Sequence, residues 1–172
     1  MSITIKKVKS RKELIKFIKF PMELYAHNPY YVPPLISEEI TTLSEHKNPV
    51  FDHAEAAYFL AYKNYKIVGR IAAIVNWKEV NDQNKLKVRF GWFDVIDDIE
   101  VTKLLLEKVF EFGQKRHLTE MEGPVGFSNL EKAGLLTKGF DKIATMVTLY
   151  NHPYYEKHLG ELGFETANEW VE

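Results

Sequence analysis

Two carboxylates stand where an acid needs an explanation. Asp94 lies inside the apolar run 86–96, and strand alternation puts it on one face with Phe90, Trp92 and Ile96. An acid on an otherwise apolar face implies either a raised pKa, suited to proton transfer, or a structural hydrogen bond. Glu122 ends the following short run, Thr119–Glu122, directly before Gly123-Pro124. Between the two, Asp97-Asp98-Ile99-Glu100 opens a helix. Asp97 as N-cap and Glu100 as its third residue form a D-x-x-E capping box, which satisfies the first N–H groups internally. The six histidines show no metal spacing on a common helix face, since His152 and His158 are too far apart for an i, i+4 pair. No metal is expected.

Composition narrows the class. At 172 residues the chain suits a single domain, expected over 1–172, with a real core. A net charge of −1 argues against a nucleic-acid partner by bulk electrostatics. The absence of cysteine removes disulfides, thiolate nucleophiles and thiolate-bound metals. No apolar run approaches the ~20 residues of a membrane span, and the start MSITIKKVKS lacks the apolar core of a leader, so no membrane association and a cytoplasmic location are expected.

The elements that must position these acids read as follows. Ile3–Val8 alternates as a strand, and Ser10 with Glu13 forms a capping box before a helix that Pro21 breaks or kinks. The prolines of HNPYYVPPL force an extended path, and a second short helix runs from Ser37 to near Asn48-Pro49. Tyr58–Lys63 and Lys66–Val75 form a hairpin about Asn64-Tyr65. The polar stretch Asn76–Lys85 leads to the strand Leu86–Ile96. Val101, Leu105, Val109 and Phe112 then mark one face of a helix. Thr119–Glu122 is a short strand and 128–142 a long loop. Ile143–Tyr150 is a strand, Pro153–Leu162 a helix closed by Gly163, and Thr166–Val171 begins a last strand. The order gives an α/β (α+β) domain: a mixed, mostly antiparallel central sheet with helices on both faces.

That order, with KIVGRIAAIV as an inner strand and YYEKHLGELGF as the final helix, resembles the GNAT superfamily of acyl-CoA-dependent N-acyltransferases. NPYYVPPL, GPVGFSNLEKAGLLTKGFD and YNHPYYEKHLGELGF together resemble an uncharacterised bacterial acetyltransferase-like family with longer chains, of which this chain would be an N-terminal half. The resemblance implies a splayed strand pair, Leu86–Ile96 and Thr119–Glu122, that takes the pantetheine arm of acetyl-CoA or another acyl-CoA. It places the cofactor's pyrophosphate at the following helix tip, so Val95, Ile96, Asp97, Asp98, Ile99, Glu100 and Val101 are the cofactor-binding candidates.

In the superfamily that loop carries glycines and a neutral lining, and here it is acidic. The position of the usual general-acid tyrosine, four residues before Gly163-Phe164, holds Leu159; Tyr155, one turn earlier, is the substitute. Asp94 or Glu122 would act as general base toward the amine. Trp92, Gly123, Phe127, Ser128 and Tyr150 would line the acceptor side. The implied acceptor is a small-molecule or peptide amine. The alternative is a degenerate acyltransferase fold that binds a ligand or partner without turnover, either as a homodimer through a sheet edge near Thr166–Val171 or packed against a missing C-terminal half.

Overall fold

The computed structural model describes residues 2–143 and 149–171. The chain order is β1 (Ile3–Lys7), α1 (Arg11–Leu24), α2 (Ile36–Thr42), a 3-10 turn (Pro49–Asp52), β2 (Ala54–Lys63), β3 (Lys66–Asn76), α3 (Trp77–Gln83), β4 (Lys87–Val95), α4 (Ile99–Gln114), β5 (Glu120–Glu122) and α5 (Tyr154–Glu161). The five strands form one sheet in sequence order. Its pairs are antiparallel except the last, β4 with β5, which is parallel. The mixed, mostly antiparallel sheet is therefore as expected.

β3 sits at the centre, and its alternation feeds two cores. Ile71, Ala73 and Val75 meet Val101, Leu105 and Val109 of α4, while Ala72 and Ile74 meet Phe17 and Ile18 of α1. Helices on both faces explain why KIVGRIAAIV reads as continuous apolar sequence rather than half-polar alternation. The β2–β3 turn puts Asn64 and Tyr65 at φ 52° and 63°, the two positive values that a tight hairpin needs.

Four expectations need correction. Of the break or kink expected at Pro21, the break is absent: α1 continues to Leu24 with Pro21 buried inside it. A proline at that position cannot donate to the Phe17 carbonyl, and the Arg70 guanidinium takes over that acceptor at 2.9 Å. Asn76–Lys85 is not a plain connection but contains α3, opened by the Asn76 side chain, which accepts from Lys78 N. The second helix is shorter than expected and ends at Thr42. Thr166–Val171 forms no strand, so the proposed sheet edge for a homodimer is absent there; Trp170 instead packs on Gly134, where an added Cβ would come within 2.5 Å of the indole. The strand expected at Ile143–Tyr150 falls mostly outside the described residues.

Candidate functional site

β4 and β5 pair over only three positions, Lys87↔Glu120, Val88↔Met121 and Arg89↔Glu122. One further bond, Val125 N to the Phe90 carbonyl at 2.8 Å, carries the contact past Gly123-Pro124. Here two backbones touch without side chains between them. A Cβ on Gly91 would lie 2.5 Å from the Val125 oxygen, and one on Gly123 would lie 2.4 Å from the Phe90 oxygen. Beyond this point the pairing with β5 ends, and β4 continues to Val95 paired with β3.

A bulge marks the same place. The register slips between Arg70↔Asp94 and Ala72↔Gly91, so Trp92 and Phe93 oppose the single residue Ile71, and Trp92 adopts φ +44°. The extra residue resets the alternation. Phe90 and Ile96 belong to the α4 side, and Trp92 to the α1 side. The expectation that Asp94 shares a face with Phe90, Trp92 and Ile96 therefore holds only for Trp92. A regular period-2 reading cannot see a bulge.

Asp94 is buried and pairs with Arg70, whose Nε lies 2.7 Å from Oδ2. Its Oδ1 accepts the Tyr25 hydroxyl at 2.9 Å. Of the two readings of this acid, the geometry shows the structural hydrogen bond. A carboxylate only accepts, so Tyr25 spends its proton there and accepts from Tyr155, 2.8 Å away. Tyr155 in turn accepts from Val95 N at 2.8 Å. The result is a hydrogen-bonded chain from the Val95 amide through two phenols to Asp94 and Arg70, with the Tyr155 hydroxyl also 3.2 Å from the Val95 carbonyl. Burial, with Asp94 next in effect, pushes both phenols well above their ordinary pKa, so they stay protonated. Tyr154 donates to the Val95 carbonyl at 2.6 Å. Both backbone groups of Val95, on the stretch of β4 beyond its pairing with β5, are therefore met by phenols of α5.

At the tip of α4 the cap differs by one residue from the expectation. Asp98, not Asp97, is the N-cap, accepting from Glu100 N at 3.1 Å, and no capping box forms. Asp97 is free of the cap and meets His158 Nε2 at 3.1 Å, whose Nδ1 lies 2.9 Å from the Thr102 hydroxyl. Val101 N and Thr102 N bond to the Asp98 carbonyl, and Val101 is buried in the core. Ile99 is half-buried, and Glu100 lies exposed beside Lys103. The Lys63 ammonium sits 2.7 Å from Asp98 and holds that carboxyl below its ordinary pKa.

A depressed folded-state pKa gives stability that is complete above the unfolded value, about 4. It is lost as pH falls through the folded value. Asp98→Asn is thus expected to unfold at lower denaturant than the unsubstituted chain at pH 7, with the difference vanishing in strong acid. A pH series of urea midpoints checks this.

The other expected residues divide by location. Glu122 is half-exposed and pairs with Lys87 at 2.5 Å. Phe127 is buried against Trp92 and Phe51, with ring centroids 5.6 and 5.1 Å away. Ser128 makes a turn, its hydroxyl accepting from Leu130 N at 3.3 Å. Tyr150 is buried with its ring edge-on to Tyr25 at 5.5 Å. Trp92, Asp94 and Tyr155, with Tyr150, thus gather about the end of β4. Glu122 lies at the other end, where β4 and β5 are still paired.

Sequence reasoning missed Arg70, Tyr25, Arg89 and Glu39. Arg89 is buried and joins Glu79 at 2.6 Å, Asn129 at 2.7 Å and the Phe127 carbonyl at 3.2 Å, tying the 126–129 loop to the sheet. A signal was available for both arginines, since each stands within the apolar run of an inner strand, where burial demands a partner. Among the described residues, no group of three potential metal ligands assembles, and no helix is long and apolar enough to cross a membrane.

No family model matches the chain. Two curated proteins are each 32% identical to it: Protein YghO of Escherichia coli strain K12, over 90% of this chain, and Bacterial ceramide synthase of Caulobacter vibrioides, over 94%. The chain spans 40% and 42% of their respective lengths. Among solved structures, a predicted acetyltransferase from Clostridium acetobutylicum with acetyl-CoA superposes at a TM-score of 0.58 and 12% identity, covering 99% of this chain and 95% of that one. A likeness this distant speaks for the architecture alone.

Proposed function

From the GNAT fold that the chain carries, we propose that it is the acyltransferase domain of an enzyme moving an acyl group from an acyl-CoA to an amine. The observation that carries this reading is the parting of β4 and β5 after three pairs, beside a bulge at Trp92. A groove along the edge of β4, where Val95 is met by side chains rather than by a strand among the described residues, suits an extended amide-containing arm.

The residues fit such a donor unevenly. The groove suits its arm, provided Tyr154 and Tyr155 release Val95. The α4 tip suits a diphosphate less: Asp98 already occupies Glu100 N, and Asp97 and Glu100 add like charge to an anion. The cations there, Lys63 and Lys103, already face Asp98 and Glu100, and Lys63 would have to leave Asp98. When bound, an acyl-CoA supplies a thioester carbonyl open to attack by a neutral amine.

The chain's own residues would then act as follows. Arg70 and Asp94 fix the end of β4 through Tyr25, so Asp94 is a positioning residue in this reading rather than a free base. Tyr155 stays protonated at neutral pH and, with Tyr154, hydrogen-bonds the β4 backbone at Val95. Glu122 remains the more accessible carboxylate but is neutralised by Lys87. One relative is named a ceramide synthase, and a ceramide is an amide of a long-chain amino alcohol. That name supports an amine acceptor of lipid type for the longer protein.

The competing reading is a ligand- or partner-binding domain without turnover. It is favoured by the self-capped α4 tip and by the phenols on Val95. Release of free thiol from acetyl-CoA and longer acyl-CoAs, in the presence of a panel of primary amines, separates the two. Amine-dependent thiol release is expected. Thiol release that no amine accelerates, with tight binding of acyl-CoA, would leave the binding reading standing and remove the enzyme.

A further inference from the structure

Glu39 is a buried carboxylate on α2, in a place that the reading above leaves without a task. Its Oε2 accepts the Trp92 indole N–H at 2.6 Å, and its Oε1 bonds to the Lys132 ammonium. That ammonium also stands 5.3 Å from the centroid of the Trp92 ring. We propose that Glu39 and Trp92 form a binding site for a primary alkylammonium group, and that Lys132 occupies it in this structure as an internal stand-in.

The parts differ in how firmly they are held. Glu39 and Trp92 come from regular elements, α2 and β4, and the indole N–H fixes the carboxylate's direction. Lys132 comes from the run 128–142, which has no helix or strand, and it adopts φ +25°. Its side chain is a quarter exposed whereas that of Glu39 is 5% exposed, so the site opens to solvent along the lysine's own path. A buried carboxylate is favoured by a cation beside it, and Lys132 supplies one here. An ammonium satisfies both walls at once, with an N–H for the carboxylate and its charge over the indole face.

The placement suits an acceptor. Trp92 lies two residues before Asp94 on the same side of β4, next to the parted strands. The Tyr31 hydroxyl is buried there without a hydrogen-bond partner, within electrostatic reach of both Asp94 and Glu39. Phe127 packs edge-on to Trp92 and holds the indole in place. The site rests on the acyltransferase reading only for calling its ligand an acceptor.

The test uses isothermal titration of n-butylammonium chloride into the chain without any thioester, so a failed transfer assay and a failed ammonium site are told apart. Lys132→Met keeps the apolar stem and removes the charge. It is expected to bind butylammonium about ten-fold more tightly than the unsubstituted chain, and tetramethylammonium, which has no N–H for Glu39, should show no such gain. Adding Glu39→Gln to Lys132→Met should abolish the gain. Equal affinity with and without Lys132, or a gain that survives Glu39→Gln, overturns the proposal. If Lys132→Met and Lys132→Ala both melt well below the parent, butylammonium should restore their melting temperature. Failure to do so would make Lys132 a structural counter-ion and overturn it equally.

Discussion

Arg70→Met is expected to destabilise the chain by about 3–5 kcal/mol, the cost typical of stranding one partner of a buried ion pair. Three groups lose their partner at once: Asp94 Oδ2, the Phe17 carbonyl that Pro21 cannot serve, and the face of the Phe17 ring 5.0 Å from the guanidinium. Arg70 therefore holds α1 to β3 and β4 together. A second substitution identifies the mechanism. Arg70→Met with Asp94→Asn leaves no stranded charge at this site and should recover part of the loss in a denaturant titration, whereas simple loss of packing would make the two changes add. Tyr155 hydrogen-bonds the same chain, so the single variant should also speed hydrogen exchange of the Val95 amide.

Arg89→Met should cost about 3 kcal/mol by the same logic, less than Arg70 because Glu79 retains Lys87 at 3.8 Å as a second partner. Its consequence is more local. The carbonyls of Gly126 and Phe127 and the Asn129 side chain all depend on this guanidinium. The loop that follows the parted strands is expected to loosen while the sheet stays folded. Amide exchange should accelerate at 126–131 before it changes in β3, and any acyl transfer should fall more than stability alone explains. Uniform acceleration through β3 would show instead that Arg89 supports the whole sheet.

Much of the frame could be read from the residues because it rests on local patterns. The hairpin needed only Asn64-Tyr65 between two apolar runs, and α1 and α4 declared themselves by their inward stripes. The site was harder. Asp94, Trp92 and Tyr155 do come together, but through partners distant in sequence: Arg70 is 24 residues from Asp94 and Tyr25 is 69. No spacing rule reports such pairs. The bulge at Trp92 broke the period that assigned the faces of β4, and the cap moved from Asp97 to Asp98 because adjacent aspartates compete for one position. Pro21 misled for a related reason, since its cost to the helix is offset by a side chain from another strand.

Beyond Phe90, β4 loses β5, and among the described residues the phenols of α5 meet its free edge at Val95. A crystal structure of the chain grown with acetyl-CoA measures this most directly. The expected result is density for an extended arm along Phe93–Val95, with Tyr154 and Tyr155 turned away from Val95 and Lys63 displaced from Asp98. Density bound elsewhere on the surface, with both phenols still on Val95, would contradict the acyltransferase reading.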